Sequence, residues 1–187
     1  MIGGPEQVSG KKQSEWNRYL KLAAKTRPNL GAVLAVFDGD SDKFEGKPFC
    51  PVTAARTLAE RAKSEGAGAQ FSVAVVFLRQ EYESILITAD RQIEELPAKV
   101  ILPPDPENAP RGAKEWWAKH LPGSYDPTRD QRRLTSAVSD WASVAVANRS
   151  FRRLVSALSE VTRAVSTDTP VATPVIPPPQ QSTPVSP

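Results

Sequence analysis

The run Val33-Leu34-Ala35-Val36-Phe37 leads straight into Asp38-Gly39-Asp40-Ser41-Asp42, so an apolar stretch delivers three carboxylates on alternate positions. Like charges that close repel, and in a dry site each costs roughly several kcal/mol unless a cation or a donor neutralises it. A hard divalent metal is the cheapest partner for such a set. A second acidic group, Glu81 and Glu83 in Arg79-Gln80-Glu81-Tyr82-Glu83-Ser84, follows a second apolar run from Phe71 to Leu78. In an open parallel sheet the carboxyl ends of adjacent strands share one crevice, which would let Asp38 and Asp40 converge there with Glu81 or Glu83. Ordinary accounts stand beside this one. Asp and Gly are common turn formers at strand ends, and a glutamate at a helix N-terminus is stabilised by the helix dipole alone.

Other acidic machines fit less well. A calcium loop of the EF-hand type needs glycine at its sixth position and a bidentate glutamate at its twelfth, where counting from Asp38 gives Lys43 and Phe49. An aspartyl-phosphatase site also follows a strand with Asp-x-Asp, but it asks for Thr or Val where Asp42 stands. His120 has no cysteine or histidine partner at zinc spacing, and Cys50, between Phe49 and Pro51, reads as a small core or loop residue.

The elements that must position these acids follow from hydrophobic pattern. Residues 15–26 place Trp16, Leu20, Leu22 and Ala23 at near-helical spacing. Ala32 to Phe37 and Phe71 to Leu78 are short, continuous apolar runs, as expected of strands covered on both faces. Between them GKPFCPV reads as loop, and Ala54, Leu58, Ala59 and Ala62 form the stripe of a helix ended by Gly66 and Gly68. EYESILITADRQIEEL predicts a helix behind the second strand, and Lys99 to Leu102 a short strand within a proline-rich loop. Strand, helix, strand, helix is the signature of a parallel α/β sheet. Only two strands are evident, too few for a self-sufficient sheet, so a further strand is expected to be missing from the pattern.

The remainder changes class. AKEWWAKHL, DQRRLTSAVSDWASVAVA and RSFRRLVSALSEVTRAV predict three helices, with Leu134, Val138, Trp141 and Ala145 on one buried face. The expectation is an α/β class protein: a flexible segment over 1–14, a domain over 15–163 whose residues 112–163 form a helical C-terminal cap, and a disordered tail over 164–187. From Thr167 that tail repeats Thr-Pro-Val with almost no charge, and it cannot bury enough apolar surface to offset its ordering entropy.

Composition bounds the rest. A chain of 187 residues suits one substantial core, and its formal charge of +3 is a mild bias compatible with a nucleic-acid partner but not diagnostic of one. One cysteine forbids an internal disulfide. The absence of a membrane-length apolar run or a signal-like start points to a soluble cytoplasmic protein without a membrane partner.

The order FDGDSD, helix, strand into QEYESILI, then AKEWWAKHL, SYDPTRDQ and NRSFRRL resembles a prokaryotic family of unknown function with a Toprim-like fold. Its members are often encoded beside AAA-type ATPases and mobile-element or phage-defence genes. The resemblance runs from about Trp16 to Val161, with Ile85 where the family usually carries Trp. It implies a small parallel Toprim-like sheet and a Mg²⁺-dependent phosphodiester-processing, nuclease-like activity, with Mn²⁺ as a substitute ion. It maps Asp38 and Asp40 onto a metal-binding pair, with Asp42 as an outer metal contact, and makes Glu81 and Glu83 accessory catalytic acids. DNA or RNA and an AAA-type ATPase are the partners it implies.

Lys114, Lys119, Arg149, Arg152 and Arg153 are candidate phosphate contacts, against ordinary pairing with Asp140 or Glu160 on helix surfaces. Trp116 and Trp117 either stack bases or divide into one buried and one partly exposed ring. Family members open with a strand running into Glu-Gly, whose glutamate is the general acid or base. Glu6, in GGPEQVSG, has no strand before it and is not assigned that role. This departure suits a mis-called start, a fragment or a degenerate member, and it gives the competing expectation of a catalytically inactive or N-terminally truncated interaction module.

Overall fold

The computed structural model describes residues 13–26, 29–97, 99–103, 105–106 and 112–175. Glu6 and the chain beyond Val175 lie outside these residues. Helix α1 (Gln13–Thr26) leads to strand β1 (Ala32–Gly39) and then to a small hairpin of β2 (Lys43–Phe44) and β3 (Lys47–Pro48). Helix α2 (Pro51–Ala62) continues as a 3-10 turn to Glu65, and β4 (Ser72–Arg79) runs into α3 (Tyr82–Thr88). The cap comprises α4 (Ala113–His120), α5 (Pro127–Ala137), α6 (Trp141–Ala147) and α7 (Arg149–Ser166), and a last short strand, β5 (Ala172–Thr173), ends the described chain.

The sheet order is β1-β4-β5, with both pairings parallel. This is the α/β class with a helical C-terminal region that the sequence pattern predicts. Strand β4 is central, and Ser72 to Leu78 are all buried, which is why it reads as an unbroken apolar run. Its side chains divide between two cores. Val73, Val75 and Phe77 pack with Trp16, Leu20, Ala55 and Leu58 of α1 and α2. Ala74, Val76 and Leu78 pack with Ile85, Trp117, Leu134 and Val161 on the opposite face. Each large side chain so enclosed contributes about 1.5–3 kcal/mol.

The register sets Phe37 opposite Phe77, and their rings stack with centroids 4.9 Å apart. Trp16 meets Phe37 edge-on at 5.9 Å and donates its indole N–H to the Leu58 carbonyl at 3.0 Å, locking α1 to α2. One residue beyond the stacked pair the strands deliver Asp38 and Leu78 side by side.

Several sequence expectations are corrected. The missing strand is supplied from within the segment expected to be a disordered tail: α7 runs to Ser166, and Val73 N–H donates to Val171 O at 2.7 Å as β5 joins β4. Thr173 donates its hydroxyl to Glu160 at 2.7 Å, so this end of the chain is tied to α7 as well as to the sheet. GKPFCPV contributes β3 rather than loop alone, and residues 99–102 form no strand. The predicted helix after β4 stops at Thr88 and passes into a 3-10 turn over Asp90–Gln92.

The helix expected over DQRRLTSAVSDWASVAVA is two helices. Val138 adopts an extended conformation after α5, and the Asp140 carboxylate accepts from Ser143 N–H at 3.0 Å to start α6. Local capping overrides an apolar spacing that a single helix would also satisfy. Leu134 and Val138 are buried as expected, with Val144 as the buried residue of α6.

Candidate acidic site at the carboxyl ends of β1 and β4

Gly39 is required where it stands. A Cβ built there would lie 2.2 Å from the Leu78 carbonyl oxygen, so only glycine lets β1 run this close to β4 between Asp38 and Asp40. The strand ends are clamped by Gly39 N–H donating to Gln80 O at 2.9 Å. Gln80 has φ of 65°, a left-handed conformation that costs a non-glycine residue about 1 kcal/mol, and it turns the chain sharply from β4 into Glu81.

Behind that turn the acids gather. Burial is the largest influence on Asp38, followed by the neighbouring charge of Glu83, with Glu81 and Asp40 adding to it. Together they push its pKa up to about 6 against the pull of Lys114. The crevice therefore joins Asp38 of β1 to the glutamates that follow β4. Asp40 and Asp42 are exposed on the loop beyond.

Glu83 is 1% exposed, and its Oε1 accepts from the Tyr125 hydroxyl at 2.9 Å and from Gln131 Nε2 at 2.8 Å. Its main-chain carbonyl accepts from Trp117 Nε1 at 3.2 Å. Burial and the bond to Glu83 raise the Tyr125 pKa above the ordinary phenol value, so the phenol stays a donor. Glu81 takes the Lys114 ammonium at 3.0 Å on Oε1, while its Oε2 is enclosed without a hydrogen-bond partner, as is Gln80 Oε1 beside it. Burial pulls the Lys114 pKa down, but the hydrogen bond to Glu81 and the charges of Glu83, Glu81 and Asp38 outweigh it and raise it.

Three carboxylates, Asp38, Glu81 and Glu83, thus lie within electrostatic reach of one ammonium, which is hydrogen-bonded to Glu81. The arrangement can hold a cation, and the enclosed oxygens of Glu81 and Gln80 are acceptors suited to a hard one. Among the described residues no three His, Cys, Asp or Glu side chains stand close enough to hold a metal by themselves, so neither Asp38, Asp40 and Asp42 nor Asp38, Glu81 and Glu83 form a three-donor cage. Mg²⁺ commonly takes one or two carboxylates and completes its shell with water and substrate phosphate, which fits the donors present.

Two of the basic candidates, Lys114 and Arg152, are engaged within the fold. Lys114 faces the carboxylates. Arg152 donates to the Ala145 and Val146 carbonyls at 3.1 and 2.8 Å, closing the end of α6. Arg149 is exposed at the first position of α7. Asp140 caps α6, and Glu160 accepts from Thr173. Trp117 is buried and Trp116 half-buried with His120 against its ring, as the adjacent-tryptophan pattern suggests.

Sequence reasoning did not single out Gln80, Tyr125 or Gln131. Tyr125 stands just before the Asp126-Pro127 start of α5, a helix signal that fixes its position but not its target.

No known protein family matches the chain, and no match is found among curated proteins or solved structures. No described helix is long and apolar enough to cross a membrane.

Proposed function

We propose that the chain is a Toprim-like, divalent-cation-dependent protein that processes phosphodiesters, acting in the cytoplasm with Asp38 and Glu81 as the carboxylates that hold Mg²⁺ or Mn²⁺. The observation that carries this reading is the excess of acceptor oxygens over cations: three carboxylates to one ammonium, with Glu81 Oε2 enclosed and unpartnered. When bound, the ion would polarise a phosphoryl oxygen and favour attack by water. Lys114 would orient a second oxygen of the phosphate, and Asp40, exposed at the mouth, would add an outer contact. Glu83, held by Tyr125 and Gln131, fixes the α3–α5 wall that shapes the crevice. DNA or RNA is the substrate class, and an AAA-type ATPase the partner that the family resemblance suggests.

A second reading, a catalytically inactive or truncated interaction module, is favoured by that same Glu83, whose carboxylate already has donors in the fold. Incubation of plasmid DNA and single-stranded RNA with the purified chain in Mg²⁺ or Mn²⁺ separates the two. The enzymatic reading expects nicking that EDTA and Asp38→Asn both abolish. Absence of cleavage in either metal with both substrates supports the interaction module.

A further inference from the structure

A cavity of about 400 Å³ lies on the far side of β4 from β1 and the acidic crevice, beyond the short strand β5. Because β5 pairs only with Val73 and Ala74, the later part of β4 is left as one wall of this cavity at Val75 and Phe77. Val52 and Ala55 of α2 close one side and Ala157 of α7 the other. Its charge is uneven. Arg152 and Arg153 line it together with a single carboxylate, Glu160, which already accepts the Thr173 hydroxyl. A concave apolar space of this size edged by a few polar groups is the usual form of a small-molecule site.

We propose that this cavity binds a small amphipathic anion: an apolar body packed against Val52, Val75 and Ala157, with a carboxylate held by the Arg153 guanidinium. Charge complementarity selects an anion over a neutral or cationic ligand, since the two guanidiniums outnumber the one engaged carboxylate. Arg152 spends one nitrogen on the α6 carbonyls, which leaves Arg153 as the principal anchor.

The proposal is tested by isothermal titration of octanoate into the full chain, with octanamide as the uncharged comparison. Octanoate is expected to bind, octanamide about tenfold more weakly, and Arg153→Glu to weaken octanoate by about tenfold or more, as loss of one charge-assisted hydrogen bond dictates. Val52→Trp, at a half-buried position on the first turn of α2, fills the cavity and is expected to abolish binding without lowering the melting temperature. No binding of octanoate at millimolar concentration overturns the proposal. So does octanamide binding as tightly as octanoate, or unchanged affinity in both a folded Arg153→Glu and a folded Val52→Trp variant.

Discussion

Lys114 Nζ donates to Glu81 Oε1 across 3.0 Å, so a helix of the cap puts its positive charge into a crevice made by the sheet. The pair joins the two halves of the fold, and the ammonium stabilises carboxylates that would otherwise repel one another. Lys114→Gln is therefore expected to lose about 1 kcal/mol at neutral pH, a small value because the lysine is partly exposed. The same variant is expected to bind Mn²⁺ more tightly than the parent, because a competing cation has been removed. Chemical denaturation and a Mn²⁺ titration of one preparation read both effects.

Asp38 and Asp130 give opposite pH dependences. Asp38 is raised to about 6 from 3.8, so between those values the folded chain keeps a proton that the unfolded chain has released. Its contribution to stability falls as pH rises through that window, and the penalty is complete above it. Asp38→Asn is expected to stabilise the metal-free protein at pH 7 by on the order of 1 kcal/mol after screening in the half-open crevice, about 2–4 °C in Tm, and to change little at pH 4.

Asp130 is held well below the carboxylate range by hydrogen bonds from Arg129 and, less strongly, from Asp126 N–H and Arg133. Its contribution is present above the ordinary carboxylate pKa and lost as pH falls below it. Asp130→Asn should lower Tm at pH 7 and approach the parent in acid. Melting curves of the two variants between pH 3 and 8 should diverge from the parent in opposite senses.

Gly39→Ala tests the close approach of β1 and β4. With its added carbon 2.2 Å from Leu78 O, the backbone has to shift, and a loss of about 2 kcal/mol is expected. The nearby loop position Ser41→Ala, where the exposed hydroxyl's bond to Lys43 O and the long one it accepts from Lys43 N–H are lost, should cost well under 1 kcal/mol. Urea unfolding of both variants is the measurement. Equal, small losses would show that the strand ends separate freely.

How far the sequence could be read differs by element for physical reasons. Strands β1 and β4 and helix α2 were legible because burial on both faces or along one stripe leaves a dense apolar signature. Adjacency of those strands led to the expectation that Asp38 and Asp40 would converge with Glu81 or Glu83; Asp38 stands within electrostatic reach of both glutamates, whereas Asp40 is exposed on the loop beyond. Strand β5 was hidden because two residues between prolines carry no pattern, and its pairing is decided by the edge of β4. Tyr125 and Gln131 were equally hidden. They reach Glu83 from residues 42 and 48 places away, a distance that no local period reports.

The role of β5 has its own consequence. A chain stopped after Ser166 loses the parallel pairing to Val73 and Ala74 and the Thr173–Glu160 bond, and exposes a central strand edge. Such a chain is expected to melt at least several degrees lower and to aggregate at concentrations where a chain stopped after Val175 stays monodisperse. Light scattering during a thermal ramp compares the two.

Calorimetric titration of Mn²⁺ into the full chain and into Asp38→Asn bears most directly on the acidic crevice. The parent is expected to bind one ion per chain, with affinity falling below pH 6 as Asp38 takes up its proton, and Asp38→Asn to bind about tenfold or more weakly. No saturable binding by the parent, or equal binding by both proteins, would contradict a cation site built on Asp38.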